Sequence, residues 1–184
     1  MSRIAAIVID LDVGPLLIAN VYMPTNYGDM DSLELYVDCL SKLHALIIDT
    51  NCAHVVIAGD FNCSSGSRFF DEFVNFASEN KLVMSDMSRL SSAITYVSDD
   101  CTKLTWIDHV SSSVDMDNLI ADICILDDVI VSDHRPISFC LQCSVLHGPV
   151  RTVQSSNTTH IVAEWSSYTN TLNYYAAYLD NFIA

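Results

Sequence analysis

Three short apolar runs of this chain each end in a carboxylate that stands next to an amide or an imidazole. Residues 56–64 read Val-Ile-Ala-Gly-Asp-Phe-Asn-Cys-Ser, residues 104–110 read Leu-Thr-Trp-Ile-Asp-His-Val, and residues 131–137 read Val-Ser-Asp-His-Arg-Pro-Ile. Apolar runs of this length, bounded by turn-forming residues, are typical of buried strands. The pattern therefore predicts a buried sheet whose edge carries oxygen ligands and a proton carrier.

The other apolar segments predict strands that alternate with helices. Two runs rich in Ile and Val, 3–10 and 16–22, flank Asp-Val-Gly-Pro, and this pattern predicts a hairpin. A helix is expected from Asp31 or Ser32 to about Asp49, because its apolar residues lie three or four apart. Further elements are expected as a strand at 54–58, a helix at 68–80, and strands at 93–97, 104–110, 119–126 and 136–143. This alternation predicts an α/β sandwich.

The composition changes after residue 143. Residues 144–159 are rich in Ser, Thr, Asn and Gln and contain Gly148-Pro149, and residues 144–163 are expected to form a polar linker. The apolar residues beyond it are spaced by three or four, namely Trp165, Tyr168, Leu172, Tyr175, Leu179 and Phe182. Such spacing predicts an amphipathic helix over 164–184. Its apolar stripe would fold back on the domain, begin the next module of a longer protein, or bind a partner or a second copy.

Charge and hydropathy exclude several classes of protein. The 23 acidic and 8 basic residues give a net charge of −15, which argues against tight binding of DNA. No apolar segment reaches the roughly 20 residues that a membrane-spanning helix needs. The seven cysteines are odd in number and irregularly spaced, and no signal-peptide cleavage site follows the first apolar run. We therefore expect an intracellular protein of the cytoplasm or nucleus that is neither secreted nor membrane-bound.

The first of the three motifs offers a carboxylate and a carboxamide. Asp60 and Asn62 are two residues apart at the end of a strand, where side chains two apart point the same way. The carboxylate could hold or deprotonate a water, and the amide could donate to a phosphate oxygen. The alternative is a polar turn in which Asn tolerates an unusual backbone angle.

The other motifs add a metal ligand, a proton carrier and its orienting partner. Asp133 could bind a divalent cation, and His134 could hold a proton or donate to a phosphate oxygen. Asp108 could accept a hydrogen bond from the histidine and fix its tautomer, or it could make only a local bond at a strand end. Tyr22 closes another strand and could donate to charge that develops in a transition state, or it could simply point its hydroxyl into solvent.

Four motifs occur in an order that resembles the endonuclease/exonuclease/phosphatase superfamily. They are Asn-Val-Tyr-Met-Pro (20–24), Gly-Asp-Phe-Asn (59–62), Trp-Ile-Asp-His (106–109) and Ser-Asp-His-Arg-Pro (132–136). The residues of these motifs are most similar to those of the endonuclease domain of non-LTR retrotransposons. The C-terminal segment, with Trp165, Tyr175 and Leu179, resembles the segment that precedes the reverse transcriptase in those polyproteins. The resemblance implies a four-layer α/β sandwich of the deoxyribonuclease-like type, present in part, with residues 1–143 as its C-terminal portion.

The resemblance also implies an activity, the hydrolysis of DNA phosphodiester bonds by a metal-dependent endonuclease. Five residues would be catalytic: Tyr22, Asp60, Asn62, Asp108 and His134. Asp60 would position the attacking water, Asn62 would bind the phosphate, and His134, paired with Asp108, would contact the scissile phosphate. Tyr22 would stabilise the transition state. Asp133 and Asp60 would contribute to a site for Mg²⁺ or Mn²⁺, since both ions prefer oxygen ligands.

The sequence departs from the superfamily pattern at its start. The pattern opens with strands that carry an Asn and then a metal-binding Glu, and this chain lacks them. Asp10 and Asp12 lie in the predicted hairpin, and Thr25 stands where many relatives have Asn. We therefore expect the chain as written to be inactive or weakly active, with weak DNA binding because of its negative charge. The alternatives are a non-catalytic remnant that binds or oligomerises through Trp165 to Phe182, and a phosphatase for small ligands.

Overall fold

A computed structural model describes residues 3–127 and 132–144, and also the backbone of three later strands. In chain order the first half contains β1 (Ile4–Leu11), β2 (Gly14–Tyr22), α1 (Met30–Thr50), β3 (His54–Asp60), α2 (Arg68–Glu79), β4 (Leu82–Met84) and α3 (Ser85–Arg89). The second half contains β5 (Tyr96–Val97), β6 (Leu104–Thr105), β7 (Asp108–Ser113), α4 (Val114–Leu119), β8 (Ile120–Ile125), β9 (Ile137–Leu141), β10 (Arg151–Gln154), β11 (Ile161–Ser166) and β12 (Thr171–Ala176).

Two larger sheets and one small hairpin organise these strands. The first sheet has the order β10-β1-β2-β3-β7-β4, the second has the order β11-β12-β9-β8, and β5 pairs with β6. The predicted hairpin is present, because β1 and β2 pair antiparallel from Ile4 opposite Val21 to Leu11 opposite Gly14. β2 runs parallel to β3, and β3 runs antiparallel to β7.

The first sheet is buried on both faces. Alternate residues of β2 lie in different cores: Leu17 packs in the core that includes α1 and α2, whereas Ile18 packs in the core that includes β8 and β9. Since side chains alternate along a strand, this division places helices on one face of the sheet and the second sheet on the other. The described residues thus stack a helical layer, a sheet and a second sheet, as expected for the predicted α/β sandwich.

The long helices begin at side-chain caps. Asp29 precedes α1 and its carboxylate accepts a hydrogen bond from Ser32 N at 2.8 Å, so the helix starts slightly before the predicted Asp31 or Ser32. Ser67 caps α2 by accepting from Phe70 N at 3.2 Å. Each cap satisfies a backbone donor that the first helical turn leaves unpaired. Among the described helices, none combines the length and the apolar content that crossing a membrane requires.

The prediction for the C-terminal segment is wrong where the structure describes it. Residues 161–166 and 171–176 form β11 and β12, an antiparallel pair, instead of part of a helix over 164–184. β12 also pairs with β9, so open strand edges supplied partners that a short run of spaced aromatic residues could not indicate. Within the predicted linker, β10 pairs with β1. Residues 167–170 and 177–184 lie outside the described part of the chain.

Candidate active site

Three strand ends bring polar side chains to one edge of the first sheet. Tyr22 closes β2 and pairs with Asp60, which closes β3 and pairs in turn with Asp108, the first residue of β7. Parallel β2 and β3 end at the same edge, and antiparallel β7 begins there. The three residues therefore stand in one row across neighbouring strands, which are about 5 Å apart in any sheet.

Asp60 is a buried carboxyl group with an unusual proton affinity. It is 1% exposed, and burial together with the charge of Asp108 raises its pKa to about 7, against the opposing effects of His134 and a hydrogen bond from Asn62. A group that acts as a general base works best when its pKa is close to the working pH. At neutral pH Asp60 is therefore suited to accept a proton.

Asn62 donates a hydrogen bond to each oxygen of the Asp60 carboxylate. Its backbone N–H donates to Asp60 Oδ1 at 2.7 Å, and its Nδ2 donates to Asp60 Oδ2 at 2.9 Å and to the carbonyl of Met23 at 2.8 Å. The predicted convergence is present but arises differently: the strand ends at Asp60, and Asn62 turns the chain with a left-handed φ of 48°. The carboxamide fixes Asp60, and a direct role toward phosphate stays a prediction.

The predicted pair of Asp108 and His134 is in contact. His134 Nδ1 lies 3.0 Å from Asp108 Oδ2 and 3.2 Å from Oδ1. The rings of Tyr96 and His134 form a T-shaped pair with their centres 5.2 Å apart. Burial lowers the pKa of His134, but the hydrogen bond and charge of Asp108, aided by Asp60, outweigh it and raise the pKa to about 9. At neutral pH the ring is therefore a cation that donates through Nδ1 to Asp108.

Sequence reasoning missed a second Asp–His pair behind this site. His109 Nδ1 lies 2.8 Å from Asp86 Oδ2, and its Nε2 lies 3.0 Å from the carbonyl of Cys63. Trp106 Nε1 donates to Asp86 Oδ2 at 3.0 Å and to the carbonyl of Asp108 at 3.1 Å. Burial lowers the pKa of His109, but the hydrogen bond to Asp86 outweighs it, so the pKa is raised. The motif Trp-Ile-Asp-His contained His109, but no local pattern connected it to Asp86.

Two predicted residues lie at the rim of the site. Tyr22 is 44% exposed, and the guanidinium of Arg3 lies 5.4 Å from its ring centre while donating to its carbonyl at 3.2 Å. Asp133 is exposed, and its carboxylate accepts from Ser132 Oγ at 3.3 Å. Both side chains are thus accessible from solvent, whereas Asp60 and Asp108 are buried.

The fit of the site to a divalent cation can be judged from its donors. Within residues 3–127 and 132–144, no three His, Cys, Asp or Glu side chains are grouped so that they could hold a metal. Burial, followed by the negative charge of Asp108, raises the pKa of Asp60, and a cation bound nearby would oppose both effects by favouring the carboxylate. Mg²⁺ often binds proteins through only one or two carboxylates and keeps several waters. Asp60 fits such a ligand, and the role of the exposed Asp133 stays a prediction.

Known proteins resemble this chain in structure and not in sequence. No protein-family profile and no curated protein matches it. The endonuclease domain of TRAS1, a telomere-specific non-LTR retrotransposon, aligns with a TM-score of 0.56 and 15% identity over 76% of this chain and 64% of that domain. A 3′ phosphatase, NExo, from Neisseria, bound to a product DNA hairpin, aligns with a TM-score of 0.53 and 17% identity over 66% of this chain and 59% of its own.

A third structure is described as an endonuclease/exonuclease/phosphatase family protein from Leptotrichia buccalis. It aligns with a TM-score of 0.53 and 16% identity over 73% of this chain and 50% of its own. The chain spans between half and two thirds of the length of these three structures. The predicted resemblance in fold is confirmed, because this chain has the α/β sandwich fold of these three structures, one of which is described as an endonuclease/exonuclease/phosphatase family protein.

Proposed function

We propose that this chain is a metal-dependent phosphodiesterase domain that hydrolyses phosphodiester bonds of DNA, with low turnover when tested alone. The observation that carries the proposal is the array of Asp60, Asp108 and His134, in which two buried carboxylates stand on paired strands and one of them holds a cationic histidine. A proton acceptor beside a charged donor is what the hydrolysis of a phosphate diester requires. The shared fold with nucleases and phosphatases supports the same reaction class.

Asp60 would accept the proton of the attacking water. In the absence of metal its pKa of about 7 leaves a substantial fraction of the group as carboxylate at neutral pH, and a bound cation would raise that fraction. Asn62 keeps the carboxylate in one orientation through two hydrogen bonds, at 2.7 and 2.9 Å. Because each bond uses a separate oxygen, rotation of the carboxylate is restricted, and the base is held ready for one position of the water.

His134 would donate to a non-bridging phosphate oxygen. Because Nδ1 of His134 donates to Asp108, the imidazole would contact the phosphate through its other nitrogen, Nε2. A cation with a fixed orientation stabilises negative charge that develops on the phosphate more than a mobile one does. The exposed hydroxyl of Tyr22, at the end of the same row, would supply a second donor.

A bound Mg²⁺ or Mn²⁺ would supply Lewis-acid stabilisation of phosphate charge and would lower the pKa of a bound water. Asp60 would hold it, with Asp133 as the second carboxylate that the resemblance suggests. The cation would also offset repulsion between DNA and a chain of net charge −15. We therefore propose weak, salt-sensitive DNA binding that depends on the metal.

We also propose a partner domain and a cellular location for this chain. Association with a reverse transcriptase is proposed because the sequences of the four motifs and the fold both resemble those of the endonuclease domain of a non-LTR retrotransposon. An intracellular location is proposed because all seven cysteines are free thiols, as is usual in reducing compartments. The alternative of a binding or oligomerising module requires a helix from Trp165 to Phe182, but residues 165–166 and 171–176 of that segment belong to β11 and β12.

The proposal is tested with an activated diester, because this substrate reveals weak hydrolysis that plasmid nicking would miss. The purified chain is incubated with bis(p-nitrophenyl) phosphate and Mn²⁺, and release of p-nitrophenol is compared with Asp60→Asn and His134→Gln. Each substitution keeps the size of the side chain but removes its charge. We expect metal-dependent hydrolysis that falls by about a hundredfold or more in either variant, typical of removing one catalytic group.

Matched controls remove the same chemical groups elsewhere. Asp38→Asn changes an exposed carboxylate that pairs with Lys42, and His44→Gln changes an exposed histidine that contacts Asn80 at 2.8 Å. Both controls should keep full activity. Hydrolysis that is equal in all five proteins would assign the activity to a contaminant or to another surface, and the proposed function would be wrong. Supercoiled plasmid then tests whether DNA itself is a substrate.

A further inference from the structure

We propose that Thr95 is a positioning residue that fixes Asp108 and His134 relative to each other, an inference that rests on the proposed function of that pair. Thr95 is fully buried and lies just before β5. Its side-chain oxygen accepts hydrogen bonds from the backbone N–H groups of Ile107 and Asp108, both at 3.0 Å. Its carbonyl accepts from Arg135 N at 2.7 Å.

These bonds connect two segments that are distant in sequence. Asp108 begins a strand of the first sheet, whereas His134 lies in the segment that leads into β9 of the second sheet. One residue thus bonds to the backbone of Asp108 and to the backbone N–H that directly follows His134. Any displacement of Thr95 would change the distance between the carboxylate and the imidazole.

The residues after Thr95 reinforce the contact with the histidine segment. Tyr96 forms a bridge with His134 and places its ring 5.2 Å from the imidazole centre. Val97 N donates to the carbonyl of Asp133 at 2.8 Å. On the other side, the hydrogen bonds that Thr95 accepts from Ile107 and Asp108 connect the hairpin to the start of β7 in the first sheet. The short hairpin of β5 and β6 therefore works as a spacer between the two halves of the site.

The chemistry of threonine suits this task. A hydroxyl oxygen has two lone pairs and can accept from two N–H groups at once, which a methyl group cannot do. Branching at Cβ restricts χ1, so the oxygen is held in one place at little further entropic cost. Valine has nearly the same shape but would leave the N–H groups of Ile107 and Asp108 buried without their acceptor. Thr95→Val therefore removes the positioning bonds while keeping the volume filled.

The experiment reads the geometry of the pair directly, in metal-free protein. Histidine labelled with ¹⁵N gives a downfield proton signal for a ring N–H that is hydrogen-bonded to a carboxylate, and the signal of His134 is assigned by its loss in His134→Gln. The signal is recorded for the wild-type chain, Thr95→Val, Thr95→Ser and Thr95→Cys. Ser112→Ala is the control, because Ser112 is fully buried on the same strand β7 and bonds to Ser85 Oγ at 2.8 Å.

Thr95→Val should shift or abolish the His134 signal, whereas Thr95→Ser, which keeps the oxygen, should restore it. The Ser112→Ala control should lose stability but keep the signal at the wild-type position. If Thr95→Val does not fold, Thr95→Cys replaces it, because sulfur is a weak acceptor and should shift the signal in the same direction. An unchanged His134 signal in a folded Thr95→Val or Thr95→Cys protein would overturn the proposal, as would an equal shift in Ser112→Ala.

Hydrolysis of the diester provides a second readout. Thr95→Val should lower kcat by roughly tenfold to a hundredfold, because a displacement on the order of 1 Å has effects of this size. KM should change less than twofold, and Thr95→Ser should recover most of the activity. A kcat that stays at the wild-type value would overturn the inference. If the wild type hydrolyses nothing, the proposed function fails, and the His134 signal alone decides the role of Thr95.

Discussion

Gly59 is the position where one added methyl group should damage both the fold and the site. It precedes Asp60 in β3 and has a φ of +138°, a conformation that side-chain-bearing residues rarely adopt. A Cβ atom there would overlap with the carbonyl oxygen of Val21 on the neighbouring strand and would lie 2.9 Å from Asn20 Oδ1. Because Val21 belongs to the ladder between β2 and β3, it cannot withdraw without breaking strand pairing.

The cost of Gly59→Ala has two parts. Backbone strain contributes about 1–3 kcal/mol, and the steric overlap contributes a further 1–3 kcal/mol or so. We expect a loss of roughly 3–5 kcal/mol in the free energy of unfolding once both effects are combined. For a domain of this size, that loss corresponds to a decrease of about 10 °C in the melting temperature.

Gly66→Ala separates these two parts experimentally. Gly66 also has a positive φ, +84°, but a Cβ atom there would meet no atom within 4 Å. The substitution should therefore cost only the strain of a left-handed residue, about 1–2 kcal/mol. Urea unfolding followed by circular dichroism measures both variants. If Gly59→Ala is no more destabilising than Gly66→Ala, the close approach of the two strands at Asp60 is not as described.

Three further outcomes are expected. Asp86→Ala should destabilise the protein by about 3–5 kcal/mol in urea unfolding, because it leaves a buried cationic His109 without its partner; a loss below about 1 kcal/mol would contradict the buried pair. The pKa of His109 is raised to about 10 in the folded state, so its stabilising effect is complete below pH 6.5 and is lost as the pH rises toward 10; His109→Gln should flatten the decline of stability over that window, and an unchanged slope would refute this. Tyr22→Phe should lower kcat for the diester by about a hundredfold with little change in melting temperature, since the side chain is 44% exposed; unchanged kcat would exclude a catalytic hydroxyl.

The site was predictable where its residues follow strands directly. Asp60 follows a short apolar run, and it closes β3 as this pattern predicts. Asp108 was expected within a single strand over 104–110, but that segment forms β6 and the start of β7, and Asp108 is the first residue of β7. The contact of Asp108 with His134 was expected from the chemistry of the two groups, and the structure confirms it at 3.0 Å. What these residues do to a substrate stays a prediction.

Thr95 and Asp86 could not be predicted, because their roles depend on contacts between distant segments. Thr95 is joined to Asp108 across 13 positions, and Asp86 to His109 across 23. Nothing in the residues around either one distinguishes it from an ordinary turn or helix-start residue. Such contacts are determined by how strands and loops pack, and a single sequence does not record this packing.

The C-terminal error has a related cause. Six apolar residues at spacings of three and four resemble a helical stripe, but Leu172 and Tyr175 belong to a strand that pairs with β9. A short helix gains little stability without a packed apolar face, whereas a strand at an open edge gains a full row of backbone hydrogen bonds. The pairing of β12 with β9 therefore determined the structure of this segment, and the helical spacing of its apolar residues did not.

The central claim is that Asp60, Asp108 and His134 form one site, in which Asp60 holds a divalent cation. Titration with paramagnetic Mn²⁺, followed by ¹⁵N NMR of the full chain, tests it directly, because Mn²⁺ broadens signals of nuclei near its binding site. The Asn62 side-chain amide and the His134 ring should broaden at the lowest Mn²⁺ concentrations, and the broadening should vanish in Asp60→Asn. Broadening that begins at His44 in α1, with the Asn62 and His134 signals still sharp, would contradict the claim.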